Sequence, residues 1–453
     1  NSFSGSLGFV LASAGSAVGL GNIWRFPYLA ARDGGGLFLL LYILLAVTFG
    51  FTLLITEVAI GRRSRQGPLT AFFHKKWAFI GFLSFIVPYI IYPYYCVIGG
   101  WVLKYLTTYA TFNAAEPVAD GYFSSFISDL WSPLIYMAVF AILCFYVVYR
   151  GVEKGIERYS RIIMPILLLM VVAICLYSLT ISHTDANGVT RTGLQGAAVY
   201  FIPNFDGLTV EKFMMIALDA TGQLFYSLSI AMGIMVTYGS YMKRSVNLGK
   251  AVDRIEIFDT SIAILAGMMI IPAVYVFMGT EGMGAGPGLM FVALPKVFDS
   301  LGSFGPVFGL IFFLTVTFAA LTSAVSILEA TVASFMDKFH WSRRKAVIIM
   351  SATGFVWSVI VCLGYNIFYF EYTLPNGAVA QILDIFDYIS NNVLMPFLAI
   401  CTCIMIGWVV KPRLLIGEIR MNGYAFHRKK LYIIMLRYVV PALLTILLLS
   451  SLR

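Results

Sequence analysis

The chain has 453 residues, of which 60% are hydrophobic and only 12% are charged. A soluble domain averages roughly half apolar and a quarter charged residues, so this composition excludes an ordinary soluble protein and indicates a polytopic membrane protein. The net charge of +9 is spread along the chain rather than collected in one patch, so we expect no nucleic-acid partner.

Eleven apolar segments have about the twenty residues that a helix needs to cross a bilayer. They lie near residues 6–29, 36–60, 79–108, 133–149, 160–181, 210–241, 254–279, 305–336, 345–364, 381–409 and 431–452. The connecting loops contain no soluble domain, and we therefore treat 1–453 as a single transmembrane domain. One loop, Gly282 to Gly288 followed by an apolar stretch, is expected to form a re-entrant or capping hairpin.

The basic residues predict the orientation. Most of the 31 lysines and arginines fall in alternate loops, and loops rich in these residues stay on the cytoplasmic side. These loops cover 62–76, 150–161, 243–254, 338–345 and 411–437. We therefore expect a multi-pass protein of the cell inner (plasma) membrane. Because the number of spans is odd, the N-terminus is predicted to be cytoplasmic and the C-terminus extracellular.

The first span carries Gly15, Gly19 and Gly21 together with Asn22 and Arg25. Each glycine weakens a helix by about 1 kcal/mol relative to alanine, so a local break is expected here. In hydrocarbon an opened turn is tolerated only beside a cavity or a bound ion, and freed carbonyls with the Asn22 oxygen suit a hard cation. Close helix packing is the alternative, and it explains the glycines but not the amide and the guanidinium.

A second break is predicted midway along the sixth span, from Ser227 to Gly233. Two interrupted helices at matching places in two halves indicate inverted repeats with a binding site between them. Serines that bond to carbonyls within an intact helix are the alternative.

Gly155 and Pro165 bracket the cytoplasmic start of the fifth span. Proline removes one helical hydrogen bond and glycine makes unwinding easier, so we expect this turn to melt when the inner side opens. The alternative is a helix that starts here with proline in its first turns.

Polar groups on three other spans are further candidates. On the eighth span small and hydroxyl residues share one face by their spacing, where they would offer oxygen ligands or simply allow close packing. They are Thr315, Ala319, Thr322, Ser323 and Ser326. Asp259 on the seventh span is a costly intramembrane carboxylate and so a functional candidate, unless it is exposed at the cytoplasmic end. Glu57 on the second span is similar, or caps freed amides of a broken helix.

The sequence lacks the motifs of several classes of enzyme and of ATP-driven pumps. The chain has no Gly-x-x-x-x-Gly-Lys-Ser/Thr loop for ATP, no serine elbow and no helical His-Glu-x-x-His. The four histidines are scattered, and the six cysteines lie in apolar runs. We expect neither an enzyme nor a transition-metal site.

At these residues the chain resembles the neurotransmitter:sodium symporter family, and within it the bacterial amino-acid transporters. The likeness covers nearly the whole chain. It rests on the run Gly15-Ser16-Ala17-Val18-Gly19-Leu20-Gly21-Asn22-Ile23-Trp24-Arg25-Phe26-Pro27, and on Gly34 to Gly36, Glu57 with Gly61, Tyr94 and Tyr95 with Trp101, Gly222 and Gln223 with Ser227 and Ser229, and Ala319 to Ser323.

The resemblance implies an all-α LeuT-like fold with eleven transmembrane helices. Two inverted five-helix repeats, approximately 1–181 and 210–409, are followed by one extra helix at approximately 431–452. The first and sixth helices are unwound at mid-membrane. The implied activity is sodium-coupled symport by alternating access.

The resemblance also implies two sodium sites. The first uses Ala17, Asn22, Ser227, Asp259 and the substrate carboxylate. The second uses Gly15, Val18, Ala319, Thr322 and Ser323.

The implied substrate site and gates follow from the same motifs. The substrate would contact Ala17, Leu20, Gly21, Ile91, Tyr95, Tyr226, Ser227, Ser229, Met232, Ser323 and Ile327. The outer gates would be Arg25 with Asp387 and Tyr95 with Tyr226, and Asp337 would be the acidic half of the inner gate.

The chain departs from the family pattern in places. The basic partner of Asp337 would precede Asn1, and Phe3 stands where a tryptophan is usual. The usual twelfth span is not found, so a family dimer contact built on it is in doubt and the oligomeric state stays open. Chloride-dependent members have a neutral residue at the position of Asp259 and a serine four residues later, where this chain has Ala263. We therefore predict no chloride requirement.

Gly19 and the pocket residues point to the substrate class. The family's monoamine carriers have aspartate at the position of Gly19, whereas glycine leaves room for an α-carboxylate. Ile91, Met232 and Ile327 make the pocket apolar, which predicts hydrophobic L-amino acids such as tryptophan or leucine. The alternatives are a non-transporting amino-acid sensor and a substrate-gated ion channel. Bulky side chains interrupt a polar path through the chain, and no signalling domain is found.

Overall fold

A computed structural model describes residues 2–72, 77–185, 188–279, 289–375 and 378–452. These residues form a helical bundle with short β-hairpins in two loops. Nine of the described helices are long and apolar enough to cross a membrane, and one bent helix pair, Ser6–Ala17 with Gly21–Arg32, adds a tenth. The remaining predicted span, the sixth, is the helix pair Val210–Ser227 and Ile234–Tyr241. All eleven predicted segments are therefore helical.

The nine unbroken spans match the predicted segments closely. In chain order they are Gly36–Ser64, Ala78–Ala110, Ser132–Tyr149, Val152–Thr180, Leu248–Met278, Gly302–Phe339, Arg343–Tyr365, Ile382–Val409 and Lys429–Ser451. The fifth and seventh spans begin earlier than the predicted residues 160 and 254. The first turns of these two spans are helical but contain charged residues, so the hydrophobic pattern does not include them.

Small elements occupy the loops. The first hairpin pairs Ser182–Thr184 with Thr190–Thr192, and the second pairs Tyr372–Thr373 with Val379–Ala380. Short helices cover Tyr122–Ser128, Gly193–Phe201, Leu294–Ser300 and Arg413–Ile419, and single 3₁₀ turns cover Glu116–Val118 and Met421–Gly423. Two further 3₁₀ turns, Gly302–Phe304 and Leu363–Tyr365, are end turns of the eighth and ninth spans.

The predicted hairpin between the seventh and eighth spans is only partly visible. Its glycine-rich half, 282–288, lies outside the described residues. The apolar half packs on the short helix Tyr122–Ser128, where the Phe291 ring stacks on Phe123 with centroids 4.8 Å apart, and on the third span. The hydroxyl of Tyr105 donates to the Phe291 carbonyl at 2.7 Å.

The two predicted breaks are confirmed. In the first span the α-helix ends at Ala17, and the helix axis bends by 52° before the next segment. In the sixth span the helix ends at Ser227 and resumes at Ile234. Between these ends Ser229 and Ala231 have φ of 52° and 59°. Left-handed backbone costs a side-chain-bearing residue of order 1 kcal/mol, which surrounding contacts must offset.

Several spans contain a π-helical turn, which no sequence pattern predicted. These turns cover Gly21–Arg25, Ala46–Gly50, Val152–Glu157, Tyr388–Leu394, Met405–Val409 and Met435–Val439. A π turn fits one extra residue into a helical turn and often occurs at functional sites. The first lies directly after the break in the first span.

Candidate functional site

A buried polar cluster joins the first, sixth and seventh spans at the two breaks. Asn22, Ser227 and Asp259 are each 0% exposed. The Asn22 amide donates to Oδ1 of Asp259 at 2.8 Å, and the Ser227 hydroxyl donates to Oδ2 at 2.7 Å. The same hydroxyl lies 3.2 Å from Oδ1 of Asn22. Three of the four residues predicted for the first sodium site are therefore in contact, and the fourth, Ala17, ends the helix just before the break.

Two residues that were given no role from the sequence, Tyr42 and Gln223, bond to groups in or beside this cluster. The hydroxyl of Tyr42, on the second span, donates to Ser227 Oγ at 2.9 Å. The amide of Gln223 donates to the Gly21 carbonyl at 2.9 Å. Glu57 has the capping role that was one of its two alternatives, because its Oε1 accepts the Ala231 N–H at 2.7 Å within the break of the sixth span.

The hydroxyl face of the eighth span meets the first span just before its break. The Ser323 hydroxyl donates to the Ser16 carbonyl at 2.8 Å. Cβ of Thr322 lies 3.5 Å from the position that a Cβ on Gly15 would take. The Thr322 hydroxyl lies 3.1 Å from the Ala319 carbonyl. Val18, with ψ of 87°, turns out of the helix at the same level. The residues predicted for the second sodium site are thus brought to one junction between two spans.

The fifth span covers this junction from the predicted cytoplasmic side. Ser160 Oγ and Met164 Sδ lie 3.5 and 3.2 Å from the position of a Cβ on Gly15. Pro165 lies inside the helix Arg158–Thr180, about two turns after its first residue. A Cβ on Gly155 would collide with the Val147 carbonyl, so close packing also requires glycine there.

The predicted substrate residues surround a cavity between the two breaks. Its volume is about 20 Å³, roughly the space of one water molecule, so a substrate requires it to expand. It is lined by Ser16, Gly19, Gly21, Ile91, Tyr95, Tyr226, Ser229, Met232, Ile234, Ser323 and Ile327. Ala17, Leu20 and Ser227, also predicted to contact substrate, do not line it. Ser16 and Ile234 were not predicted, because their neighbours across the breaks are set by the fold.

A larger cavity of about 230 Å³ lies on the predicted outer side. Tyr95 and Tyr226 line both cavities and so stand between them. The other residues that line the larger cavity are Leu20, Gly21, Trp24, Arg25, Tyr28, Tyr94, Ile98, Leu383, Asp384 and Asp387. We call this cavity the vestibule.

The outer gate differs from the predicted ion pair. Arg25 and Asp387 both line the vestibule but are not bonded to each other in this structure. The Arg25 guanidinium lies over the Tyr226 ring at 5.1 Å, and the Tyr226 hydroxyl donates to Asp387 at 2.6 Å. Asn391, which was not predicted, donates to the Tyr226 hydroxyl at 2.7 Å and to Asp387 at 2.5 Å. Tyr226 thus stands between the two charges.

On the predicted inner side the N-terminal segment is bonded to neighbouring spans. The Phe3 ring packs edge-on against Tyr238, with centroids 5.5 Å apart. The Ser4 amide donates to Glu157 at 2.8 Å, and its carbonyl accepts from Lys243 at 2.8 Å. Asp337, predicted for the inner gate, accepts the Gly67 amide. The contacts of Phe3 and Ser4 join the N-terminal segment to the fifth and sixth spans.

The buried cluster has the charge of a cation site. Within the described residues, no lysine or arginine nitrogen lies within 4.0 Å of Asp259. A buried carboxylate with only neutral donors is costly unless a cation compensates it. Carboxylate, amide, hydroxyl and carbonyl oxygens suit a hard cation. The described residues contain no group of three or more His, Cys, Asp or Glu side chains that would hold a transition metal.

Comparisons with known proteins show what the chain is similar to. The model of the sodium:neurotransmitter symporter family matches residues 1–120 and 122–453. The uncharacterized sodium-dependent transporter YhdH of Bacillus subtilis (strain 168) is 34% identical over 454 residues, which cover 98% of this chain and 96% of YhdH. The sodium- and chloride-dependent GABA transporter 2 of Mus musculus is 27% identical over 459 residues, 88% of this chain and 71% of the relative. The crystal structure of MhsT in complex with L-phenylalanine has a TM-score of 0.86 and 34% identity, over 100% of this chain and 99% of MhsT.

Proposed function

Since the chain belongs to the sodium:neurotransmitter symporter family, we propose that it imports hydrophobic L-amino acids by coupling them to two sodium ions. Family membership makes it a sodium-dependent transporter with many membrane spans, and not an enzyme. The similarity to MhsT gives it the LeuT-like fold that the sequence predicted.

The observation that carries the proposal is the uncompensated carboxylate of Asp259. It lies beside Asn22 and Ser227 at the two breaks, where a sodium ion would supply the positive charge that compensates the carboxylate. Freed carbonyls at broken helices are a common cation site in transporters. We assign the first ion to Ala17, Asn22, Ser227 and Asp259. The second we assign to the junction of Gly15, Val18, Ala319, Thr322 and Ser323.

The cavity between the breaks favours a hydrophobic amino acid. Ile91, Met232 and Ile327 supply apolar walls, and methionine adapts to different side chains. At Gly19 the backbone closely approaches Tyr95 and Ser323, since a Cβ there would lie 2.8 Å from the Tyr95 hydroxyl. MhsT binds L-phenylalanine, and the similarity supports aromatic as well as aliphatic substrates here.

The two cavities suggest how alternating access works. Substrate would enter through the vestibule, displace Tyr226 and expand the small cavity. Tyr95, Tyr226 and the Arg25–Asp387 pair would then close above it, before the inner contacts of Ser4 and Asp337 break. We assign repeats of approximately 1–181 and 210–409 and an extra helix at approximately 431–452. We place the protein in the plasma membrane with a cytoplasmic N-terminus.

Uptake into proteoliposomes tests the proposal directly. An inward sodium gradient should drive accumulation of labelled tryptophan and leucine, and replacing sodium by potassium should abolish it. Labelled GABA and glutamate serve as controls and should not accumulate. Sodium-dependent binding without uptake would instead indicate a sensor, and uncoupled sodium current on adding substrate would indicate a channel.

Pro165→Ala tests the proposed hinge. A continuous hydrogen-bond ladder should make residues 155–165 harder to unwind, so uptake should slow about tenfold while substrate affinity changes less than twofold. Uptake rate and equilibrium binding are measured on the same preparation. Pro272→Ala, inside the seventh span, is the control for loss of an internal proline. Equal losses of uptake and binding in Pro165→Ala would contradict a hinge.

A further inference from the structure

The segment after the tenth span is bonded to the second and seventh spans and to the loop before the seventh. We call residues 413–428 the cytoplasmic strap. Its Glu418 forms a buried ion pair with Arg62 of the second span at 2.8 Å. Its Asn422 donates to the Arg244 carbonyl at 2.8 Å, in the loop before the seventh span. The strap therefore holds the predicted inner ends of these spans together.

Arg428 of the strap contacts both the second and the seventh span. Its guanidinium donates to Asp253 at 2.8 Å and to Glu256 at 3.2 Å, both on the seventh span. It also donates to the Val47 carbonyl at 3.1 Å and lies over the Phe51 ring at 3.8 Å, both on the second span. Val47 belongs to the π turn Ala46–Gly50. One side chain thus fixes the seventh span against an irregular turn of the second.

Both attachments are close along the chain to the proposed first sodium site. Glu256 is one helical turn before Asp259, and its side chain is only 4% exposed. Val47 is five residues after Tyr42, whose hydroxyl donates to Ser227. The two helices that Arg428 joins are therefore the ones that present Asp259 and Tyr42 to the cluster.

We propose that Arg428 is a positioning residue for the first sodium site, holding Asp259 in place through Glu256 and the second span. The inference rests on the proposed sodium site. Without Arg428, Glu256 is a buried carboxylate with no cationic partner among the described residues, and its desolvation is relieved if the seventh span moves toward water. That movement displaces Asp259.

The direction in which sodium affinity changes when Arg428 is removed distinguishes a positioning role from a purely electrostatic one. Arg428 is positive, so if it acted only through its charge, removing it would tighten sodium binding. If it acts by positioning, removing it weakens sodium binding although a repelling charge is gone. A change that also removes the charge of Glu256 then restores the affinity.

The experiment measures sodium-dependent binding of labelled tryptophan by purified full-length variants. Arg428→Met should raise the sodium midpoint about fivefold or more, the lower end of typical coupling between sites. Arg428→Met with Glu256→Gln should return it to within twofold of wild type. Arg428→Lys keeps the charge but loses the forked geometry, so it should give an intermediate midpoint.

Two matched variants control for a purely structural effect. Glu418→Gln breaks the other ion pair of the strap and should lower thermal stability without moving the sodium midpoint. Lys429→Met removes an exposed neighbouring charge and should change neither. An unchanged or lower midpoint in Arg428→Met, or no rescue by Glu256→Gln, overturns the proposal. If Arg428→Met does not fold, a midpoint in Arg428→Lys less than twofold above wild type overturns it. Failure of the proposed function is distinct, because wild-type binding would then not depend on sodium.

Discussion

Asp259→Asn should lower sodium-driven uptake at least tenfold, even at saturating sodium. The substitution keeps the size of the side chain and removes one negative charge from a fully buried position. Two sodium ions and a zwitterionic substrate would leave two positive charges in a low-dielectric site, and a partly compensated buried charge costs several kcal/mol. Uptake of labelled tryptophan into proteoliposomes across a sodium titration measures the loss.

The carboxylate of Asp259 also leads to a prediction about the chloride dependence of uptake. A permanent carboxylate beside the proposed first sodium would take the place of a bound anion, so wild-type uptake should be unchanged when gluconate replaces chloride. The mouse relative is named as chloride-dependent, so membership of the family leaves this open. Asp259→Asn combined with Ala263→Ser should recover part of the uptake in chloride and none in gluconate. Strong chloride dependence of the wild type would refute the assignment.

Replacing Thr322 and Ser323 together by alanine should raise the sodium midpoint of substrate binding at least tenfold. Both hydroxyls lie at the junction of the first and eighth spans, and Ser323 donates to the Ser16 carbonyl. Alanine leaves the helix intact but removes two of the five ligands proposed for the second ion. Scintillation-proximity binding across a sodium titration reports the midpoint.

A second pair on the same helix provides the control. The hydroxyls of Thr317 and Ser334 donate to carbonyls of their own span, at 2.7 and 2.8 Å. Alanine at both positions should leave the sodium midpoint within twofold of wild type. If the two double variants behave alike, the hydroxyl face serves packing rather than ion binding.

The sequence predicted the features that depend on local chemistry. Gly15, Gly19 and Gly21 marked the break in the first span, and Ser227 to Gly233 marked the break in the sixth. Their matching positions in two halves predicted a site between the breaks. The family resemblance brought Asn22 and Ser227 together in that site, although more than two hundred residues separate them. A lone intramembrane carboxylate pointed to Asp259 because burying it demands a compensating charge.

Features that depend on packing between distant segments, or on the conformation of the protein, could not be predicted from the sequence. Arg25 and Asp387 suggested an ion pair, but the structure has Tyr226 between them. The contacts of Ser16, Asn391 and Arg428 depend on how spans cross, and no spacing along one segment encodes that. The charged first turns of the fifth and seventh spans were missed because charge hides helicity from a hydrophobic pattern.

The π turns have a consequence for how this chain compares with its relatives over evolution. Each one accommodates a residue that an α-helix would not need, so it corresponds to a single insertion inside a span. A relative without the extra residue of Tyr388–Leu394 would have an α-helical turn there, with the parts of the tenth span before and after the turn in the same places. Alignments of these spans should therefore carry one-residue gaps in mid-helix, and ungapped alignment would assign gate residues to the wrong positions.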